Sequence, residues 1–207
     1  MKSGAPLIAV LLLGLSACSL HYLTSERAPD ASAYHVARLA IPPVVVAEDG
    51  EYRTGAVAPG GDAVVTDLLY NAVAQRTAFK TVERGDVERA LAAQSPKADD
   101  TASWQRLAQA VGADAVLRGE LFVYREREGS HLGVIRPASV EMELSLIAGR
   151  DGRLLWHGRY TETQQSLTEE IRTLPLYLKR GTRWLTAREL AAYAIDDLIG
   201  ALPAAST

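Results

Sequence analysis

The chain has a single cysteine, Cys18, and this scarcity limits both its covalent structure and its chemistry. One thiol cannot form an intramolecular disulfide, so the core alone must hold the fold, even in an oxidising compartment. The four histidines are equally uninformative, because none stands three or four residues from another, as a helical metal-binding pair would. They are His21, His35, His131 and His157. We therefore expect no metal site.

Two further absences bear on catalysis and on nucleic acids. No Gly-x-Ser-x-Gly nucleophile motif occurs, and no Gly-Lys-Ser/Thr follows the Gly-rich stretch Glu48 to Gly61, which is interpreted as a surface loop rather than a phosphate loop. The formal net charge is only −3, and removal of Lys2 would make it −4, a balance that argues against nucleic-acid binding. The sequence predicts a protein that is not an enzyme and has no cofactor.

Long hydrophobic runs are also missing, with one short exception at the amino terminus. Lys2 precedes the apolar run Ala5 to Gly14, and the small residues Ser16 and Ala17 lead to Cys18. A positive start, a short apolar core and a small-residue cleavage site are typical of a secretory signal, and the run is shorter than the roughly 20 residues of a spanning helix. The sequence therefore predicts a signal peptide over residues 1–17.

The tetrapeptide Leu15-Ser16-Ala17-Cys18 resembles the bacterial lipobox. The resemblance implies cleavage between Ala17 and Cys18, with Cys18 carrying diacylglycerol and a further acyl chain such as palmitate. Several acyl chains together make a stable membrane anchor, whereas one chain binds reversibly. Ser19 after the cysteine implies export to the outer membrane, with the protein facing the periplasm. An ordinary signal peptide followed by a chance cysteine is the alternative.

Residues 18–33 are polar, include Pro29 and lack periodicity, so they are predicted to be a flexible tether with a reach of about 20 to 25 Å. Residues 34–207 are predicted to form one domain with the order β-α-β-α-α-β-β-β-α. The first half has helical spacing, and the second half alternates at period 2, with Asp151-Gly152 as a tight hairpin turn. Early crossovers and late hairpins favour a two-layer α/β sandwich: a mixed sheet of about five strands with helices packed on one face.

Three stretches of this domain resemble a superfamily of periplasmic lipoprotein domains. They are IPPVVV at Ile41 to Val46, GADAVLRGEL at Gly112 to Leu121 and GRDGRLLWHGRY at Gly149 to Tyr160. The superfamily includes the curli-secretion lipoprotein CsgG, the penicillin-binding-protein activator lipoproteins and the amino-terminal domain of TolB. The resemblance implies an α/β sandwich that acts by binding other proteins. Arg127 to Pro137 is too short and too charged for membrane-spanning hairpins, so a CsgG-like channel is rejected.

The segment Thr173 to Leu185 combines aromatic, apolar and basic residues, a mixture that is enriched at protein interfaces. Its candidate partner-binding residues are Tyr177, Lys179, Arg180, Arg183 and Trp184. Alternatively, the segment rests on the membrane surface, or its apolar residues simply pack under the sheet. The leading hypothesis is a lipid-anchored, non-enzymatic interaction or assembly module that binds an envelope protein, with a homo-oligomer left open. The alternative is a cell-wall or small-ligand-binding module that uses the solvent-facing side of the sheet.

Overall fold

The fold is an α/β sandwich built on a mixed sheet. It is seen in a computed structural model that describes residues 22–47, 56–94, 100–130, 133–165 and 183–205. Within those ranges the strands are β1 (Leu23–Arg27), β2 (Arg38–Ala40), β3 (Val45–Val46), β4 (Lys80–Thr81), β5 (Ala115–Arg125), β6 (Glu128–Gly129), β7 (Val134–Arg136), β8 (Ser139–Ala148) and β9 (Leu154–Thr163). The helices are α1 (Gly61–Arg76), α2 (Arg84–Gln94), α3 (Thr101–Val111) and α4 (Ala187–Ala201).

The main sheet has seven strands in the order β1-β9-β8-β5-β2-β4, and β3 also pairs with β5. The strands β1, β9, β8 and β5 form antiparallel pairs, whereas β2 and β3 run parallel to β5, and β4 runs parallel to β2. The short strands β6 and β7 form a separate hairpin. The prediction of an α/β sandwich with a mixed sheet is confirmed, with seven strands in place of about five.

The helices pack on both sides of the sheet, which differs from the predicted single helical layer. Helices α1 and α4 cover the larger core, which includes Leu117, Leu146 and Trp156. Val116 and Ile147 project from the opposite face into a second core, where Val87 of α2 and Trp104 of α3 meet them. Adjacent residues of a strand point to opposite faces, so both faces are apolar where β5 begins and β8 ends. A period-2 pattern cannot show that a second helical pair covers the other face.

Short-range sequence signals locate several boundaries correctly. The sheet pairing of β2 ends at Ala40 and that of β3 begins at Val45, on either side of Pro42-Pro43, because proline cannot donate to a sheet ladder. Gly152 has φ +73° in the predicted turn between β8 and β9. Thr186 and Glu189, a Thr-x-x-Glu pattern in the sequence, form a capping box at the start of α4. Gly60 occupies the N-cap position of helix α1, with Asp62 in its first turn.

The predicted tether is wrong from residue 22 onward. Leu23–Arg27 forms the edge strand β1, paired with β9, and the carbonyl of Tyr22 accepts a 2.8 Å hydrogen bond from Thr161 N–H. The rings of Tyr22 and Tyr160 stack 6.4 Å apart, and Ala31 is 6% exposed. The polar sequence of β1 gave no strand signal, because four of its five residues are exposed and its pairing comes from the free edge of β9. Residues 18–21 lie outside the described residues.

Candidate functional site

The described residues of the candidate partner-binding segment meet the sheet at one end. There β5 ends at Arg125, β8 begins at Ser139 and β9 ends at Thr163, since their antiparallel register joins these three positions. We call this the hairpin end, because the β6–β7 hairpin follows β5 there. The opposite end carries the Asp151-Gly152 turn and is called the turn end. The described chain enters β1 at the hairpin end, where Tyr22 meets Thr161.

Gln164, the residue after β9, joins the two ends of the connection between β9 and α4. Its side-chain oxygen accepts a 2.8 Å hydrogen bond from Leu185 N–H, and its side-chain nitrogen donates to the carbonyl of Arg183 at 3.1 Å. Gln164 is 8% exposed and Leu185 is 1% exposed, so these bonds lie in a buried environment. The amide side chain thus replaces the backbone partners that an irregular chain would lack when buried.

Two residues after β5 hold the same region from the other side. The Glu126 carboxylate accepts hydrogen bonds of 3.1 and 3.2 Å from Ala187 N–H, a free donor in the first turn of α4. The guanidinium of Arg127 donates to the carbonyl of Trp184. We call Glu126, Arg127 and Gln164 the clamp. The clamp holds residues 183–187 against the ends of β5 and β9.

The structure describes two of the five predicted partner-binding residues. Arg183 and Trp184 lie at the clamp, whereas Tyr177, Lys179 and Arg180 lie outside the described residues. The exposed side chain of Arg183 reaches Glu189 Oε1 at 2.5 Å. That hydrogen bond raises the pKa of Arg183. The predicted lipidation and cleavage residues, Cys18 and Ala17, also lie outside the described residues, so they stay predictions.

The pKa of Glu189 is lowered by its position in the capping box and beside Arg183. Burial acts most strongly and raises this pKa, but the hydrogen bonds from Arg183 and Thr186 and the charge of Arg183 together outweigh it. Glu189 Oε2 accepts a 2.9 Å bond from Thr186 N–H. Glu189 thus connects Arg183, at the end of the candidate partner-binding segment, to Thr186 at the start of α4.

The part of the second sheet face that α2 and α3 leave uncovered is polar and internally paired. Arg159 bonds Glu141 and contacts Glu143 at 2.6 Å, and His157 Nε2 lies 3.1 Å from Glu143 Oε2. Arg118 pairs with Glu120 at 2.6 Å. Glu141 is only 4% exposed, so its pairing with Arg159 offsets a substantial desolvation cost.

Three of the four glutamates in β5, β8 and β9 lie on this face. Glu120 and Glu143 are directly opposite in register, and Glu141 follows on the same face. Glu162 instead pairs in register with Val140 on the core face, where it accepts a hydrogen bond from Tyr160. Among the described residues, no group of three or more His, Cys, Asp and Glu is arranged to hold a metal ion. No helix in the described ranges is both long and apolar enough to cross a membrane.

The clamp was missed at the level of sequence. Glu126 and Gln164 are polar residues just after strands, and nothing in their spacing marks them as partners of a segment many residues away. The capping box was the available signal, because it fixed where α4 begins and hence where the candidate segment must end.

No known protein-family model matches this chain, and no curated protein sequence matches it. Solved structures do resemble it in fold. The PelC dodecamer from Paraburkholderia phytofirmans has a TM-score of 0.53 and 16% identity, covering 88% of this chain and 97% of the PelC chain. A second PelC dodecamer from the same organism, in another crystal form, has a TM-score of 0.51 at 13% identity, covering 86% and 95% of the two chains.

The C-terminal domain of LpoB from Escherichia coli has a TM-score of 0.40 at 19% identity, covering 62% of this chain and 83% of that domain. That similarity is too low to support an inference. The likeness to PelC extends along nearly the whole of both chains and establishes a shared fold. The finer resemblance to CsgG, the penicillin-binding-protein activators and TolB stays a prediction.

Proposed function

We propose that this protein is a lipid-anchored component of the bacterial envelope that works by binding other proteins, copies of itself included, rather than by catalysis. The observation that carries the proposal is the clamp. Buried hydrogen bonds from Gln164, the residue after β9, hold Arg183 and Leu185 at one point of the sheet. The predicted docking residues Arg183 and Trp184 are therefore presented from a fixed position beside the end of β9.

We call Thr173 to Leu185, whose last residues the clamp holds, the clamped segment. Its composition fits a docking role. Tyr177, Lys179, Arg180, Arg183 and Trp184 combine aromatic and basic side chains, the types that dominate interface energetics. A binding segment with fixed ends loses less conformational entropy on docking than a free chain of the same length. Its partner should present acidic side chains around an apolar centre.

Self-association is supported by the fold it shares with a protein that forms a dodecamer. The sheet of this chain has two different lateral edges, β1 on one side and β3 and β4 on the other. Contacts between unlike surfaces of successive copies generate closed rings when the rotation closes. We therefore infer a homo-oligomer as the working form, with the clamped segment available for a second partner.

The anchor belongs to the same proposal. Four peptide steps separate Cys18 from Tyr22, and at about 3.5 Å a step they span at most about 14 Å. Acylation of Cys18 would therefore keep the hairpin end close to the bilayer, on the periplasmic side of the outer membrane. Mass spectrometry of the native protein tests this part, since it predicts a diacylglycerol-modified Cys18 as the first residue.

The polar sheet face gives less support to the alternative, a cell-wall or small-ligand-binding module. Its arginines and carboxylates already pair with one another, so a ligand would have to break these pairs. That alternative predicts binding of the purified protein to isolated peptidoglycan, abolished by Arg159→Ala.

Site-specific photocrosslinking in living cells tests the docking role directly. A photoreactive amino acid at Tyr177 or Arg180 should give one defined adduct, whereas the same group at Glu88, exposed on α2, should give none. Replacing Tyr177, Arg180 and Trp184 by alanine together should abolish the adduct formed from a probe at Lys179, with the circular dichroism spectrum unchanged. Equal crosslinking from Tyr177 and Glu88 would refute the assignment.

A further inference from the structure

Arg125 lies at the hairpin end of the sheet. It is the last residue of β5 and is partly buried, and its Nε atom is buried with no hydrogen-bond partner. No carboxylate pairs with its guanidinium within the described part of the chain. A charged group that loses water without gaining a partner costs free energy, so an orphaned buried donor calls for an explanation.

The carboxylates nearest to Arg125 along the strands have other partners. Glu126, the next residue, accepts from Ala187 N–H. Glu141, on the same face one step along β8, bonds Arg159. Glu128 of the hairpin pairs with Arg136 at 2.9 Å. None of these described carboxylates pairs with Arg125, so its guanidinium can bind an anion from outside the chain.

The register supplies two hydroxyl groups in the same row. Arg125 is directly opposite Ser139, and Ser139 is directly opposite Thr163, so the three residues share one face of the sheet. The hydroxyls of Ser139 and Thr163 lie 2.7 Å apart. One hydroxyl hydrogen makes this bond, which leaves the other hydroxyl free to donate elsewhere. The row therefore offers a guanidinium and a hydroxyl donor, with no carboxylate among its members.

We propose that the row Arg125, Ser139 and Thr163 is a binding site for a phosphate group. A guanidinium presents its N–H donors as a planar fork that matches phosphate oxygens, and a phosphate has enough oxygens to accept from a hydroxyl at the same time. Thr163 is exposed, Ser139 is 6% exposed and Arg125 is partly buried, so the row is open to solvent at Thr163. The buried Nε of Arg125 gains the acceptor that the protein does not provide.

Two sources can supply this phosphate, and the position of the row allows both. Free phosphate can reach the exposed side of the row from solution. The phosphodiester of a lipid headgroup can also reach it, because Tyr22, four peptide steps from the predicted anchor at Cys18, lies at the same end of the sheet. The site itself depends on neither the anchor nor the clamped segment, and it goes beyond the proposed protein-binding role.

The test follows the side-chain Nε–H resonance of Arg125 by NMR in the full chain, at constant ionic strength. Inorganic phosphate should shift this resonance saturably, with a dissociation constant on the order of millimolar, and should shift the backbone amides of Ser139 and Thr163 with the same constant. Monomeric dihexanoyl phosphatidylglycerol provides the second arm. A matching saturable shift with this lipid identifies the headgroup phosphodiester as a ligand, and a shift with inorganic phosphate alone identifies free phosphate.

Two variants and one control complete the experiment. Arg125→Gln should weaken phosphate binding about tenfold or more, the effect of losing one charge-assisted hydrogen bond. Thr163→Val changes an exposed position and should weaken binding without disturbing the fold. Arg38→Gln removes an equal charge from an exposed arginine at the turn end and should leave binding unchanged. The proposal fails if neither probe gives a saturable shift, or if Arg125→Gln and Arg38→Gln bind phosphate equally well.

Discussion

The side-chain oxygen of Gln164 accepts a 2.8 Å hydrogen bond from the backbone N–H of Leu185, a residue 21 positions further along the chain. This bond and its companion to the Arg183 carbonyl are the means by which the sheet fixes the segment predicted to dock a partner. Because both groups of the Gln164 amide are used, stability and presentation of the segment depend on the same side chain.

Gln164→Ala should lower the free energy of unfolding by about 2 to 4 kcal/mol, because a buried N–H and a buried carbonyl lose their partners at about 1 to 3 kcal/mol each. Urea unfolding of the full chain measures this change. Gln75→Ala, at an exposed position of α1, is the matched control and should stay within about 0.5 kcal/mol of wild type. A Gln164→Ala variant as stable as the control would show that the clamp does not hold the segment.

Arg159→Met should destabilise the protein by about 2 to 4 kcal/mol, because it leaves the buried carboxylate of Glu141 without its counter-ion. Arg89→Met removes one partner of an exposed pair, in which the arginine side chain is 79% exposed, and should cost under about 1 kcal/mol. Denaturant midpoints of the two variants give the comparison. Replacing Glu141 and Arg159 together by Leu and Met should recover part of the loss, since the buried Glu141 carboxylate is then gone, while the more exposed Glu143 still lacks its contact with Arg159.

Gly158→Ala should destabilise the fold by about 1 to 3 kcal/mol through overpacking. A Cβ at this position of β9 would lie 2.5 Å from the Trp156 ring and 2.9 Å from Leu198 of α4. Gly200→Ala is the opposite case, because nothing lies within 4 Å of its Cβ position inside α4. It should raise stability by about 0.5 to 1 kcal/mol, as alanine does in helices. Thermal unfolding of both variants should therefore move in opposite directions.

The contribution of Glu189 to stability should disappear in acid. Its pKa in the folded chain lies below the ordinary value of 4.5, because the combined bonds from Arg183 and Thr186 outweigh the opposing effect of burial. The stabilisation is therefore fully present above pH 4.5 and is lost as the pH falls through the folded pKa. Unfolding free energies of wild type and Glu189→Gln, measured against pH, should converge below 4.5. A constant difference over that range would contradict the assignment.

Tyr34→Phe should raise the pKa of Asp151 toward its ordinary value of 3.8. The Tyr34 hydroxyl donates a 2.8 Å hydrogen bond to Asp151 Oδ2, and this bond is the largest influence that lowers the pKa of that carboxyl. NMR titration of the Asp151 side chain measures the change. Arg106→Gln, which alters an exposed arginine on α3, is the control and should leave the titration of Asp151 where it is.

Local signals in the sequence predicted the elements whose causes are local. The Asp-Gly pair between β8 and β9 selects a tight turn by its own backbone preferences, and Thr186 with Glu189 caps α4 through bonds within one helical turn. No local signal predicted the strand β1, because its residues carry no apolar alternation. Its pairing depends on β9, which lies far along the chain.

The residues of the candidate site likewise differ in whether the sequence alone reveals them. Arg183 and Trp184 stand out in the sequence, since aromatic and basic residues within one segment are recognisable from composition alone. Gln164 and Arg125 could not be found by that route. Their importance lies in buried contacts made, or left unmade, across strands, and neither residue type stands out beside a strand end.

The sequence by itself determined the α/β class, the turn and cap positions and the predicted anchor at Cys18, because each follows from residues within a few positions of one another. Only the tertiary structure decided that helices cover both faces, that Glu162 points to the core and that Arg125 Nε meets no hydrogen-bond partner among the described residues. Those outcomes depend on which strands become neighbours and in which register. Since shifting a strand by one residue reverses every side chain, register decides which groups are buried, paired or left free.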